Sequence, residues 1–419
     1  QRSWLWRLPR SNFPRHDKAD HAPIRLDKLA GDDERFIVVL DAAVNEAISE
    51  ITQTARGAVD HRHRGAIRCD LAIELGQRRV RVELPDFDVD VILDVGEEVE
   101  AIVDVYKELR EGLVEATEEM AIVLRRSAYS TNIKTRADFS CAFFDRHLRP
   151  IAQASGQPIH LGSLVLLLPR VIHEYGPEKL APGDAILAND PYLGGVHLND
   201  ITLISPVYHQ DELFGYVASL VHHVDVGGGA PASIGAFREV FQEGIIIPPV
   251  KLVDAGVIAP DVFNLILAQI RSKRETSGDF RAQISANRAG SRRLIELIER
   301  YGLCEINEYI DALVDYTERR TRAELEYLPR GEYMAEGYLD NDGFTEKRVK
   351  LRAKVVIDEE GVLFDLNGSD PQRRAPVNST FAQTFSACAY ALRALMDRDL
   401  PVNDGFYRYV RIIAPEGSV

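Results

Sequence analysis

The spacing of hydrophobic and polar residues along the chain predicts long helices and antiparallel hairpins. Two apolar runs, at 201–208 and 213–221, are separated by a short polar turn, which predicts a pair of antiparallel strands. Over 97–127 apolar residues recur every three or four positions, which predicts one long amphipathic helix. Strict alternation at 349–357, followed by a turn and a returning run at 362–366, predicts a second hairpin. Further helices are predicted at 261–270, 282–301, 306–328 and 380–396.

The same patterns divide the chain into segments. Before the long helix, strand-like runs at 66–75 and 79–84 predict a hairpin turned at Gly76, and residues 36–51 have helical or buried spacing. Together the elements predict an α+β fold, a mixed multi-layer domain of antiparallel hairpins and long helices. The predicted segments are an irregular arm at 1–34, a small α/β extension of unknown role at 35–95, a core at 96–330, and a hairpin-plus-helix portion at 331–419.

Composition and charge restrict the partners and the compartment. The formal net charge of −15 argues against non-specific nucleic-acid binding, which relies on clustered Lys and Arg. No apolar run reaches the ~20 residues that span a bilayer. The four cysteines are widely spaced and form no CxxC pair, which argues against a thiolate zinc site and favours a reducing cytoplasm.

Candidate chemistry is concentrated around the first hairpin. His197 and Asp200 precede it, and His222, His223 and Asp225 follow it, so two strands joined by a turn would bring both groups to nearby strand ends. Imidazole and carboxylate together suit zinc, manganese or iron. The alternative is that these residues are only hydrogen-bonded polar pairs on loops. Density favours a site, because four of the 11 histidines fall in this window, each within three residues of an aspartate.

Other polar residues carry weaker signals. By position alone, Asp138 is a turn or cap residue beside a buried strand at 139–144, His160 is a core histidine, and Glu243 is a helix-end charge. Glycines at 227–229 form either an anion-binding nest or a plain turn. The sequence contains no GxxxxGK[ST], GxSxG or HExxH motif and no GxGxxG after a strand, so it does not contain a recognisable ATP site of its own.

From about residue 99 to its end, the sequence resembles the hydantoinase B/oxoprolinase family. This family includes B subunits of ATP-dependent hydantoinases, the matching half of 5-oxoprolinase, caprolactamase B subunits, and the large subunits of acetone and acetophenone carboxylases. The motifs that carry the resemblance are DFSCAFFD at 138–145, QPIHLGS at 157–163, NDPYLGGVHLND at 189–200, HHVDVGG at 222–228, QEGIIIPPVKL at 242–252, GDFRAQ at 278–283 and YLDNDG at 338–343.

The resemblance implies a divalent metal site, zinc, manganese or iron, at the strand ends of the 96–330 core. Carried over position by position, the metal ligands are Asp138, His197, Asp200 and His222. The candidates for proton transfer or intermediate binding are His160, His223 and Glu243. Asp225 is expected to orient an imidazole from outside the ligand set.

The resemblance also implies a partner and a reaction. A separate A-type subunit with an actin-like fold would use ATP to phosphorylate a hydantoin, oxoproline or lactam, and this metal-binding subunit would hydrolyse the product within a hetero-oligomer. The alternative is the large subunit of an ATP-dependent ketone carboxylase. Because the family's B chains usually begin near the long helix and run well past residue 419, we expect residues 1–95 to be an extension and the 331–419 portion to be truncated.

Overall fold

A computed structural model of the chain describes residues 5–6, 70–74, 79–84, 89–94, 97–154, 156–233 and 235–419, with side chains from residue 108 onward. The chain forms two compact units. One comprises Gln1–Pro9 together with Glu111–Val419, and the other comprises Arg10–Arg110.

The elements are numbered in chain order. The helices are α1 (Glu97–Ser127), α2 (Thr131–Lys134), α3 (Pro158–Tyr175), α4 (Pro260–Gln269), α5 (Lys273–Tyr301), α6 (Leu303–Glu326), α7 (Phe381–Arg393) and α8 (Asp404–Tyr407). The strands are β1 (Leu5–Trp6), β2 (Asp70–Glu74), β3 (Arg79–Leu84), β4 (Val89–Asp94), β5 (Phe139–Asp145), β6 (Pro150–Gln153), β7 (Ala185–Ala188), β8 (Asp200–His209), β9 (Glu212–His222), β10 (Val250–Asp254), β11 (Val257–Ile258), β12 (Gly331–Leu339), β13 (Val349–Asp358), β14 (Gly361–Asp365) and β15 (Val410–Ile413).

Within the described residues the smaller unit contains a three-stranded antiparallel sheet in the order β2-β3-β4. Its first two strands confirm the predicted N-terminal hairpin, with Asp70 opposite Glu83. The predicted turn at Gly76, the helix at 36–51 and all of the 1–34 arm except Leu5–Trp6 lie outside the described residues.

The larger unit is built on a seven-stranded sheet in the order β11-β10-β7-β8-β9-β5-β6, in which every neighbouring pair is antiparallel. The predicted hairpin at 201–208 and 213–221 is confirmed as β8 and β9. One face of the sheet packs against apolar residues of α3, including Leu164 and Leu167. The other face packs against α5 through Phe280 and Ile284. The two central strands are therefore covered on both sides, which fixes their register.

The C-terminal portion supplies four strands of a five-stranded sheet in the order β1-β15-β14-β13-β12, and Leu5–Trp6 supplies the fifth. Strands β13 and β14 confirm the hairpin predicted at 349–366, and α7 confirms the helix predicted at 380–396. One apolar core joins this portion to the rest of the unit. It contains Val165 and Leu166 of α3, Phe364 of β14 and Phe385 of α7.

The predicted long helix is confirmed at the predicted bounds, as α1. Its apolar stripe is buried from Leu109 to Leu124. Helix α5, in contrast, begins at Lys273 and not at 282. Its first two turns bury Thr276 and Asp279, which are polar, so the apolar period that marks a helix begins late. No helix in the described part of the chain is long and apolar enough to cross a membrane.

Candidate functional site

Three adjacent strands of the seven-stranded sheet bring candidate ligands together where their ends lie side by side. Asp200 is the first residue of β8 and lies opposite His222, the last residue of β9. Asp138 immediately precedes β5, and its carbonyl oxygen accepts a hydrogen bond from the backbone N–H of His222 at 3.0 Å. Because opposite residues of an antiparallel pair project to the same face, the side chains of Asp200 and His222 share the face that α3 covers.

His197 joins this pair from the loop before β8. Its carbonyl oxygen accepts from the N–H of Asp200 at 2.9 Å, which closes a turn and folds the His197 side chain back onto the strand end. The Nδ1 of His197 is 2.8 Å from Asp200 Oδ2, and the Nδ1 of His222 is 2.9 Å from Asp200 Oδ1. One ligand atom from each of the three residues lies within 4.8 Å of the other two.

His160 reaches the same place from the first turn of α3. Its side chain is only 3% exposed, and its Nε2 lies 3.6 Å from Asp200 Oδ1 and 3.7 Å from Asp138 Oδ1. The helix therefore places an imidazole between the two carboxylates. We refer to Asp138, His160, His197, Asp200 and His222 as the histidine–aspartate cluster.

The charges in the histidine–aspartate cluster compensate one another. Burial alone would raise the pKa of Asp200, but the neighbouring imidazoles of His197 and His222 hold that pKa below its usual range. Burial lowers the pKa of His160, against the attraction of Asp200 and Asp138. Burial also opposes protonation of His197, yet the carboxylates of Asp200, Asp138 and Glu243 raise its pKa above the ordinary value.

One oxygen of this arrangement is weakly compensated. Asp200 is completely buried, and among the described residues its Oδ2 has an ion-pair contact with His197 Nδ1 at 2.8 Å but accepts no further hydrogen bond. A buried carboxylate oxygen with so little compensation is costly. A divalent cation would compensate it, since imidazole nitrogens and carboxylate oxygens are the donors that zinc, manganese and iron share.

Glu243 lies beside the histidine–aspartate cluster, directly after the short 3-10 helix Val240–Gln242. Its carboxyl group is half-buried, and burial raises its pKa while the charge of His197 opposes that rise. A carboxyl group with a raised pKa next to an imidazole is suited to hold or release a proton.

The structure does not bring His223 to the cluster. Consecutive strand residues project to opposite faces, so His223 points to the α5 side of the sheet while His222 points to the α3 side. Its ring is completely buried, packs on Phe280 at 4.7 Å between ring centroids, and pairs through Nε2 with Gln283 Oε1 at 3.0 Å. The sequence-based candidate for proton transfer or intermediate binding, His223, therefore lies in the core on the α5 side and not among the residues of the cluster.

Asp225 holds a loop, and its hydrogen-bond partners among the described residues include no imidazole. Its Oδ1 accepts from the N–H of Gly227 at 2.9 Å, and its Oδ2 accepts from the N–H of Arg271 at 2.9 Å. The N–H of Gly229 donates to the carbonyl oxygen of Gln242 at 2.7 Å. Two N–H groups of this glycine segment thus have internal acceptors, which favours a plain turn over an anion-binding nest.

Sequence reasoning missed the buried amides that brace the site. Asn199 donates to the carbonyl oxygen of His223 at 2.9 Å, and Gln283 donates to the carbonyl oxygens of Ile201 and Ser219 at 3.0 and 3.1 Å. Asn189 likewise donates to two backbone carbonyl oxygens, those of Leu198 and Ile245. The only signal in the sequence is that each amide falls inside one of the family motifs, at 189–200 or 278–283.

An α+β fold that gathers three imidazoles and two carboxylates at the ends of neighbouring strands defines the class as a protein with a histidine–aspartate site. Residues 106–419 match the family Hydantoinase B/oxoprolinase. The chain belongs to this family, as its motifs predicted.

Two curated relatives illustrate the match. An uncharacterized protein of Methanocaldococcus jannaschii is 40% identical over 305 residues, covering 72% of this chain and 54% of that protein. The caprolactamase subunit beta of Pseudomonas jessenii is 34% identical over 315 residues, covering 74% of this chain and 54% of the subunit. The chain therefore spans about half the length of the relatives it matches.

Two solved structures share the fold. The ATP-dependent caprolactamase from Pseudomonas jessenii superposes with a TM-score of 0.70 at 33% sequence identity, over 75% of this chain and 54% of that one. Nucleotide-free acetone carboxylase superposes with a TM-score of 0.69 at 18% sequence identity, over 75% of this chain and 43% of that one. The second likeness is one of fold alone. Both confirm the predicted α+β class.

Proposed function

We propose that the histidine–aspartate cluster binds one divalent cation, zinc, manganese or iron, through Asp138, His197, Asp200 and His222. The observation that carries the proposal is the proximity of His197, Asp200 and His222, whose ligand atoms lie within 4.8 Å of one another around a completely buried carboxylate. Asp138 joins them through its carboxylate, which faces His160 and influences His197.

We further propose that the chain is the catalytic B-type subunit of an ATP-dependent cyclic-amide hydrolase. Its substrate would be a hydantoin, oxoproline or lactam that a partner A-type subunit with an actin-like fold has phosphorylated. Family membership and the name of the caprolactamase relative, a subunit beta, support this assignment. Phosphorylation at the expense of ATP overcomes amide resonance, which makes direct hydrolysis slow.

The chain's own residues would have separate roles in this reaction. When bound, the cation supplies Lewis acidity and positive charge at the reacting centre. Asp200 stays anionic and keeps the imidazoles of His197 and His222 in place. His160 is neutral near pH 7 because burial lowers its pKa, so it can accept a proton. Glu243, whose pKa burial raises, can return a proton to the leaving group.

The test is an ATP-dependent ring-opening assay of the complex with its A-type partner, using hydantoin, 5-oxoproline and caprolactam, with the bound metal quantified in parallel. We expect His197→Ala to lower both metal content and kcat, the latter by at least about 100-fold. His173→Ala, which removes an exposed imidazole from α3, is the matched control and should change neither. Full turnover and full metal content in His197→Ala would exclude the proposal.

The shared fold of acetone carboxylase supports a second candidate, the large subunit of a ketone carboxylase. The same preparation distinguishes the two when it is given ATP, a ketone and labelled bicarbonate. Label in an acid-stable product would establish the carboxylase, whereas lactam opening without bicarbonate would establish the hydrolase. The higher identity to the caprolactamase structure, 33% against 18%, makes the hydrolase the first choice.

A further inference from the structure

We propose that Asn189 is a positioning residue for the histidine–aspartate cluster, whose buried amide locks the loop that carries His197 to the segment that carries Glu243. The inference deepens the proposed function and rests on it, since it explains how the ligand geometry is maintained.

Asn189 follows β7 directly and is completely buried. Its Nδ2 donates to the carbonyl oxygen of Leu198 at 2.7 Å and to that of Ile245 at 2.9 Å. Its Oδ1 accepts from the backbone N–H of Ile247 at 2.6 Å. The backbone N–H of Asn189 donates to the carbonyl oxygen of Ile247 at 3.1 Å. One side chain thus uses both donors and its acceptor on two separate loops.

The two loops are the ones that bear functional groups. Leu198 is the neighbour of His197, and Ile245 is two residues beyond Glu243. Ile245 also donates its N–H to the carbonyl oxygen of Val226, in the loop that follows His222, at 2.9 Å. Through these contacts Asn189 is bonded directly to the loops that carry His197 and Glu243 and, through Ile245, to the loop that follows His222.

The chemistry of the amide is specific. Two carbonyl oxygens require two N–H donors, and one backbone N–H requires an acceptor, so only an amide of this length satisfies all three groups. Aspartate has the same shape but would set a negatively charged oxygen against the carbonyls of Leu198 and Ile245. Asn189→Asp therefore removes the lock while keeping the volume of the side chain.

A matched control exists on the other side of the sheet. Asn287 is also buried, and its Nδ2 donates to the carbonyl oxygen of Leu203 at 3.0 Å and to Ser205 Oγ at 3.1 Å. Those contacts hold the middle of β8 to α5, not the loops at its end. Asn287→Asp makes the same chemical change at similar burial without touching the proposed lock.

The experiment compares hydrogen–deuterium exchange and cation affinity in the full chain with Asn189→Asp or Asn287→Asp. For Asn189→Asp we expect amide exchange to rise at least about 10-fold in peptides covering 190–199 and 243–247, and affinity for Zn²⁺ or Mn²⁺ to fall about 10- to 100-fold. The absorption spectrum of Co²⁺ bound to Asn189→Asp should also differ from that of Co²⁺ bound to the wild-type chain. Asn287→Asp should leave all three quantities at the wild-type value, even if its melting temperature falls.

If Asn189→Asp prevents folding, Asn189→Ala, which removes the amide without adding charge, is measured at reduced temperature in its place. Unchanged exchange in both peptides would overturn the inference, and so would an equal rise in Asn287→Asp. A wild-type chain that binds no divalent cation would instead overturn the proposed metal site, and the exchange data would still decide the role of Asn189.

Discussion

Asp200 is the residue on which the site depends. A completely buried carboxylate needs compensation, and here imidazoles approach it from a loop, a strand and a helix. The position of two histidines also depends on it, because its oxygens lie 2.8 Å from the Nδ1 of His197 and 2.9 Å from the Nδ1 of His222.

Asp200→Asn keeps the shape of this side chain and removes its charge. Mutation of a residue that only supports a metal ligand lowers metal affinity by at most about 100-fold. Because Asp200 is proposed as a ligand itself, we expect Asp200→Asn to lower cation affinity by more than that. Isothermal titration with Zn²⁺ or Mn²⁺ measures this. Asp190→Asn, in the loop before β8, changes a half-buried carboxylate that accepts from the N–H of Tyr192 at 2.9 Å, and this variant should bind the cation normally. Equal affinity in the two variants would remove Asp200 from the site.

At the scale of elements, the position of α3 sets the position of His160. This helix crosses α7 at a very short distance, because Gly162 has no side chain. A Cβ built at Gly162 would lie 2.6 Å from Ser386 Cα and 2.8 Å from Ser386 Cβ. The obstacle is backbone as well as side chain, so a larger residue has to push the helices apart.

We therefore expect Gly162→Ala to cost about 1–3 kcal/mol in the free energy of unfolding, measured by urea denaturation. Because His160 lies two residues away, cation affinity should fall as well. Gly337→Ala, in exposed strand β12 where a new Cβ would meet nothing within 4 Å, is the control and should be nearly neutral. A neutral result at Gly162 would show that the two helices separate without strain.

At the scale of the whole molecule, an ion pair between a buried carboxylate and a partly exposed lysine connects two strands of the seven-stranded sheet. Asp184 precedes β7, and its Oδ2 lies 2.8 Å from Lys251 Nζ on β10. Burial alone would raise the pKa of Asp184, but Lys251 and the N–H groups of Ala255 and Ala181 hold that pKa below the usual aspartate value. A lowered folded pKa stabilises the native state above the unfolded value of about 3.9, and that stabilisation is lost as the pH falls through the lower folded value.

Asp184→Asn should therefore reduce the free energy of unfolding by roughly 1–3 kcal/mol at pH 7. The difference from wild type should begin to narrow below about pH 3.9, where the carboxyl group of the unfolded chain takes up a proton, and should be smallest below the lower pKa of the folded state, where the native carboxyl group is protonated too. Urea denaturation at a series of pH values tests this. Asp254→Asn also removes a partner of Lys251, but that carboxylate is 69% exposed, so its effect should be small. A difference at Asp184 that does not depend on pH would contradict the prediction.

The sequence alone determined the elements whose pattern is local. The hairpin of β8 and β9, the length of α1 and the β13–β14 hairpin all follow from periodic apolar residues. The grouping of His197, Asp200 and His222 could also be predicted, because the hairpin between them returns the chain to its starting edge. Asp138 and His160 lack such a local signal, and only the family motifs pointed to them.

Only the tertiary structure decided what depends on which neighbour a side chain meets. Adjacent residues His222 and His223 have the same chemistry, yet strand alternation sends one to the cluster and the other into the core against Gln283. The sequence suggested that Asp225 orients an imidazole, but in the structure its two oxygens accept hydrogen bonds from the N–H groups of Gly227 and Arg271. Periodicity records which face of an element is apolar, whereas hydrogen bonds between distant segments depend on how those faces are brought together.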